Sequence, residues 1–133
     1  MKCIRISDMT MGQGTRVALS FREKIELAKL LDTLGVSVIE LEGVGESRTD
    51  ALRVKSVAAA VKNSAVAVPV QLSRENIDAV WNALQLAARP RLQVRCPVSS
   101  VQMEYLHHKK PDAMKALIGE TVAKCCKLCA DVE

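Results

Sequence analysis

Aromatic side chains are almost missing from this sequence, which has only Phe21, Trp81 and Tyr105 in 133 residues. Single-stranded nucleic acid is gripped by stacking bases on aromatic platforms, so this scarcity argues against that function. Blocks of one charge are missing too. The 19 Lys and Arg and 15 Asp and Glu are scattered along the chain for a net +4. That pattern describes a solvated surface rather than a nucleic-acid footprint, and no nucleic-acid partner is expected. No apolar run nears the roughly 20 residues of a membrane span. The opening Met1-Lys2-Cys3-Ile4-Arg5 has no signal-peptide core. No membrane partner is expected, and five cysteines without an export signal point to a reduced, cytoplasmic setting. Low-complexity segments and linkers are also missing, so residues 1–133 are expected to form one domain.

Small aliphatics fill the gap. Val, Ala, Leu and Ile dominate the 49% hydrophobic content, which suits parallel strands covered by helices. Short β-prone segments (residues 3–7, 36–41, 65–72 and 91–98) alternate with segments of helical periodicity. The first helix opens at Ser20-Phe21-Arg22-Glu23, a capping-box spacing. It carries Ile25, Leu27, Ala28, Leu31 and Leu34 as its apolar stripe and ends at Gly35. A second helix is expected over residues 46–61. A third follows Ser73 with Ile77, Val80, Trp81 and Leu84 inward, and a fourth runs from Pro111 to about Ala130. Four β-α repeats predict an α/β fold with four parallel strands alternating with four helices. Pro69 and Pro97 cannot donate to a ladder and belong near strand ends or at bulges.

Four such units make either a small open sheet or half of a (β/α)8 TIM barrel, and composition does not choose between them. Polar strand residues favour the barrel. Glu40 and Glu42 share one face of the second strand, and Gln93 and Arg95 share one face of the fourth. Helices on both sides would bury these charges at high cost, whereas a barrel turns them toward its polar C-terminal mouth. Glu40 and Arg95 are then expected to approach one another inside.

Three stretches carry a family resemblance. Residues 6–14, I-S-D-M-T-M-G-Q-G, resemble a worn D-T-T-L-R-D-G motif. Residues 20–40, S-F-R-E-K-I-E-L-A-K-L-L-D-T-L-G-V-S-V-I-E, and residues 92–105, beginning L-Q-V-R-C-P-V-S-S, follow in matching order. Together they are similar to the N-terminal half of the 2-isopropylmalate/homocitrate synthase family. The resemblance implies a TIM-barrel acyltransferase of amino-acid biosynthesis. Its reaction is a Claisen-type condensation in which the enolate of an acyl-CoA co-substrate attacks a 2-oxo acid whose carbonyl is polarised by a divalent metal. The implied motif Arg stabilises developing charge, its Asp binds metal, and paired His residues from a later strand complete the coordination.

The pattern is broken at its centre. Gly12 stands at the catalytic Arg position and Gln13 at the metal carboxylate position, where its neutral carbonyl is a weaker ligand for a hard cation. Gln93 replaces the strand-four His, and Val98 replaces the Thr before Ser99. Glu40 and Ser99 match family positions, and Arg95 brings a guanidinium fork suited to a 2-oxo acid carboxylate. The substrate-binding candidates are therefore Glu40, Gln93, Arg95 and Ser99, with Gln13 as the metal candidate and no catalytic residue named. A structural ion pair with Glu40 or Glu42 is the plainer role for Arg95.

Other constellations take the bland reading. Cys125, Cys126 and Cys129 continue the stripe of Met114, Leu117, Ile118 and Val122, so they are expected in the packing face rather than as zinc ligands. His107 and His108 suggest an exposed turn. Gly12-Gln13-Gly14 and Gly43-Val44-Gly45 lack the full phosphate-loop spacing. Half a barrel would leave strand edges unpaired and aliphatic inner faces uncovered. A second half-barrel is thus expected, from a longer chain or from a second copy as a homo-oligomer. Three readings stay open: a truncated acyltransferase-like enzyme, a non-catalytic half-barrel binding a small-molecule 2-oxo acid or a partner chain, and an incidental open-sheet domain.

Overall fold

The computed structural model describes residues 4–12 and 18–133. Its order is β1 (Ser7–Asp8), α1 (Phe21–Leu34), β2 (Val38–Glu40), α2 (Arg48–Ala60), β3 (Ala65–Val70), α3 (Arg74–Leu84), β4 (Pro90–Val94), α4 (Ser100–His107) and α5 (Pro111–Leu128). The four strands pair in parallel in the order β1-β2-β3-β4. Sequential parallel neighbours joined by helical crossovers are the arrangement of half a (β/α) barrel.

Local chemistry sets the boundaries. Ser20 and Glu23 close the expected capping box on α1, and Gly35 ends the helix at φ 86°. Ser47 and Ser73 cap α2 and α3. Pro69 is the next-to-last residue of β3, Pro90 opens β4, and Pro97 lies outside the strands, as their missing donors require. One segment departs from expectation. The stretch after β4 is not a plain loop, because Ser99 caps a short helix, α4. That helix buries none of its residues and ends at His108 in the left-handed region, so both histidines lie exposed.

Strand alternation divides the molecule. Ile39, Val66, Val68, Val70 and Leu92 pack outward with Ala28 of α1, Val54 and Val57 of α2, Ile77, Val80 and Leu84 of α3, and Cys125 of α5 in one core. The other face carries a small buried cluster of Val38, Ala65 and Ala67, to which no helix contributes. Helices thus cover a single face. This excludes the sandwiched open sheet and its incidental likeness. Cys125 and Cys129 are buried as expected, whereas Cys126 is exposed.

Residues 131–133 run alongside β4 in parallel, with Val132 opposite Leu92. The Leu92 N–H donates to the Asp131 carbonyl at 3.1 Å, and the Glu133 N–H to the Leu92 carbonyl at 2.9 Å. The Val94 N–H donates to the Glu133 carbonyl at 2.7 Å. The β4 edge is therefore already paired along these residues.

Candidate functional site

The inner face holds one connected polar belt. From β1, the Ser7 hydroxyl donates to Glu40 Oε1 of β2 at 2.7 Å. Just past β4, Arg95 Nη2 donates to Glu40 Oε2 and to Gln93 Oε1, both at 3.0 Å. Gln93 Nε2 donates to Glu133 Oε2 at 3.1 Å. Arg91 Nε donates to Asp131 Oδ2 at 3.0 Å, and its Nη1 lies 3.6 Å from Glu133 Oε2. Glu40 and Gln93 are buried, at 7% and 6% exposure, and their polar atoms are satisfied, as buried polar groups must be. Small residues leave room for the belt, since β3 presents Ala65, Ala67 and Pro69 beneath it. The aliphatic inner layer expected from the sequence is thus mostly replaced by ion pairs and hydrogen bonds.

The expected meeting of Glu40 and Arg95 is present. Glu42 separates from it: β2 ends at Glu40, and the Glu42 carboxylate turns outward to Lys24 of α1 and Arg53 of α2. Ser99 stands apart as well, accepting from the Gln102 N–H at 3.2 Å to cap α4. Gln13 lies outside the described residues. The belt members Ser7, Arg91, Asp131 and Glu133 were not singled out from sequence, although Arg91 shares the period-two spacing of Gln93 and Arg95.

At the C-terminal ends of β2, β3 and β4, a cavity of about 760 Å³ opens beside Glu42, Arg53, Pro69, Arg95, His107 and Lys109. Its size is that of a small-molecule pocket, and its place matches the mouth where barrels hold their sites. Arg95 Nη2 is committed to Glu40 and Gln93, while Nε and Nη1 make no hydrogen bond among the described residues. The Arg95 side chain is 49% exposed and lines the opening.

The worn motif is rebuilt into a turn. The Thr10 N–H and hydroxyl donate to the two Asp8 carboxylate oxygens, each at 3.1 Å, and the Gly12 N–H donates to the Met9 carbonyl at 3.0 Å. Gly12 lies against Glu40, where an added Cβ would be 3.3 Å from the Glu40 carbonyl oxygen and 3.4 Å from its Cβ. Among the described residues no three His, Cys, Asp or Glu side chains gather to hold a metal, and both Glu40 oxygens already accept hydrogen bonds. The described donors do not by themselves fit the divalent cation that the resemblance implies. No helix among the described residues is long and apolar enough to cross a membrane.

Comparison with known proteins agrees with the motif order. The HMGL-like family profile matches residues 4–133. The 2-isopropylmalate synthase of Nitratidesulfovibrio vulgaris is 33% identical over 133 residues, covering 98% of this chain and 26% of that protein. The 2-isopropylmalate synthase of Halalkalibacterium halodurans is 36% identical over 125 residues, covering 92% and 24%. The chain therefore spans about a quarter of the length of these relatives. Among solved structures, the oxygenating constituent of 3,6-diketocamphane monooxygenase from Pseudomonas putida, in complex with FMN, superposes with a TM-score of 0.52. That match covers 89% of this chain and 36% of that one at 15% identity, a likeness of fold alone. With motif order, half-barrel topology and a family match along residues 4–133 in agreement, the chain belongs to the HMGL-like family, which it shares with the 2-isopropylmalate synthases.

Proposed function

We propose that the chain is the N-terminal portion of an acyltransferase-like barrel of the 2-isopropylmalate/homocitrate synthase type. In this reading residues 1–133 form one half-barrel domain that a second half completes. The parent activity is condensation of an acyl-CoA with a 2-oxo acid, and this chain's share is to hold the oxo acid's carboxylate at the mouth. One observation carries the reading: Arg95 lines the cavity, is fixed through Nη2, and keeps Nε and Nη1 without a hydrogen-bond partner among the described residues. A guanidinium held in place loses little entropy when it takes a planar carboxylate in two-point fashion. Glu40 and Gln93 act as positioning residues for Arg95 rather than as ligands themselves.

A second reading is favoured by Gly12. Gly12 supplies no guanidinium and lies against Glu40, so binding without condensation is the simpler outcome. In both readings no step is assigned to a metal.

Calorimetric titration of the chain with 2-oxobutanoate, and with 2-butanone as a probe lacking the carboxylate, tests the binding role. Saturable binding of the acid alone, weakened at least tenfold in Arg95→Gln, is the expected result. Equal affinity in the variant overturns it. Adding acetyl-CoA then tests the binding-only reading: release of free CoA thiol overturns it, while a half-barrel awaiting its second half releases none in either reading.

A further inference from the structure

The opposite, N-terminal end of the sheet has its own cavity, of about 280 Å³, lined by Arg5, Arg89 and Arg91 with Ser37, Val38 and Asn63. The three arginines come from the segment before β1, the turn before β4, and β4 itself. Two are held in place. Arg89 Nη1 donates to the Asn63 carbonyl at 2.9 Å, and Arg91 is tied to Asp131 and Glu133. Arg5 pairs with no acidic side chain among the described residues, and neither Asp131 nor Glu133 pairs with Arg5 or Arg89. The Ser37 hydroxyl accepts from the Ile6 N–H at 3.2 Å, leaving its own hydrogen to donate.

Arg5 and Arg89 line one small space with no acidic partner among the described residues, so their charges repel, whereas the charge of Arg91 is already met by Asp131 and Glu133. An anion between Arg5 and Arg89 removes the repulsion and meets forked donors suited to tetrahedral or planar oxyanions. Ligand pockets for larger molecules run from roughly 300 to 1,000 Å³, so the volume suits a small ion. We propose that this cavity is a binding site for a phosphate-sized oxyanion, with Arg5 and Arg89 as its ligands. It is separate from the mouth and independent of the reading given to Arg95.

The test is titration of the chain with inorganic phosphate against chloride at matched ionic strength, read by calorimetry and thermal melting. Saturable binding of one phosphate is expected. It should raise the melting temperature by about 10 °C at phosphate a hundredfold above its Kd. Arg5→Gln removes a side chain that makes no hydrogen bond or ion pair among the described residues, and should weaken binding severalfold without lowering the unliganded melting temperature. Arg5→Gln with Arg89→Gln should weaken it at least tenfold, and Arg95→Gln should leave it unchanged. An equal rise with chloride, full affinity in the double variant, or loss of binding in Arg95→Gln overturns the site; the last result moves the anion to the mouth.

Discussion

Arg95 reaches over β3 to donate a hydrogen bond to Glu40 at 3.0 Å, joining side chains from two strands that are not neighbours. The pair is lopsided: the Arg95 side chain is 49% exposed and that of Glu40 9%. Removing the arginine therefore strands a nearly buried carboxylate with Ser7 as its remaining side-chain donor, whereas removing the acid leaves a cation that water can solvate. Exposed pairs are worth under about 1 kcal/mol, and broken buried pairs cost about 3–5 kcal/mol. In urea unfolding, Arg95→Gln should cost about 1–2 kcal/mol and Glu40→Gln less. A larger loss for Glu40→Gln would show that the carboxylate is not the dependent partner.

The contact requires a small residue between the strands. Ala67 faces Glu40 in register and is fully buried. Ala67→Leu forces extra volume under the belt, at about 1–3 kcal/mol for overpacking. It should also displace Arg95, so oxo acid binding falls with stability. Ala67→Ser, nearly the same size, should keep both. Retained binding in Ala67→Leu would mean that the belt does not position Arg95.

The rebuilt motif invites the reverse experiment. Restoring the family's arginine by Gly12→Arg places a Cβ 3.3 Å from the Glu40 carbonyl oxygen, tighter than ordinary packing. The variant should lose about 1–3 kcal/mol and gain no release of CoA from acetyl-CoA. Activity appearing in Gly12→Arg would overturn the binding-only reading.

Much of this was readable in advance where side-chain periodicity determines position. Alternation put Glu40, Gln93 and Arg95 on defined strand faces, and helical stripes with caps located α1, α2, α3 and α5. Periodicity did not find α4, because that helix buries none of its residues and so writes no apolar stripe. It misplaced Glu42, because alternation stops applying where β2 ends at Glu40. It also missed Asp32, whose partners are backbone N–H groups some thirty residues away.

Cysteine chemistry separates residues that sequence spacing grouped together. Burial, then the neighbouring Cys126 and Cys129, raises the Cys125 thiol above its ordinary pKa. Cys129 is buried, with its Sγ within 3.4 Å of the Pro90 carbonyl oxygen. Cys126 is exposed. Since the thiolate is the reactive form, iodoacetamide at pH 8 should label Cys126 well before Cys125 or Cys129, as read by peptide mass spectrometry. Labelling of all three at one rate in the folded chain would contradict the packing of α5.

Asp32 sets the acid limit of the fold. Burial alone would raise its pKa, but the N–H groups of Lys62, Ser64 and Asn63 point at its carboxylate and bring it down to about 2 from 3.8. The folded value lies below the unfolded one, so the stabilisation is complete above about pH 4 and is lost as pH falls toward 2. A shift of that size corresponds to on the order of 2 kcal/mol. Asp32→Asn keeps the shape but loses the charge and turns one of the two acceptor oxygens, both of which accept from N–H groups, into an NH2 that cannot accept. It should lower stability at pH 7 by on the order of 2 kcal/mol and flatten the stability profile between pH 4 and pH 2. Denaturant melts at stepped pH measure both effects, and a variant as acid-sensitive as the parent would assign the acid limit to another carboxylate.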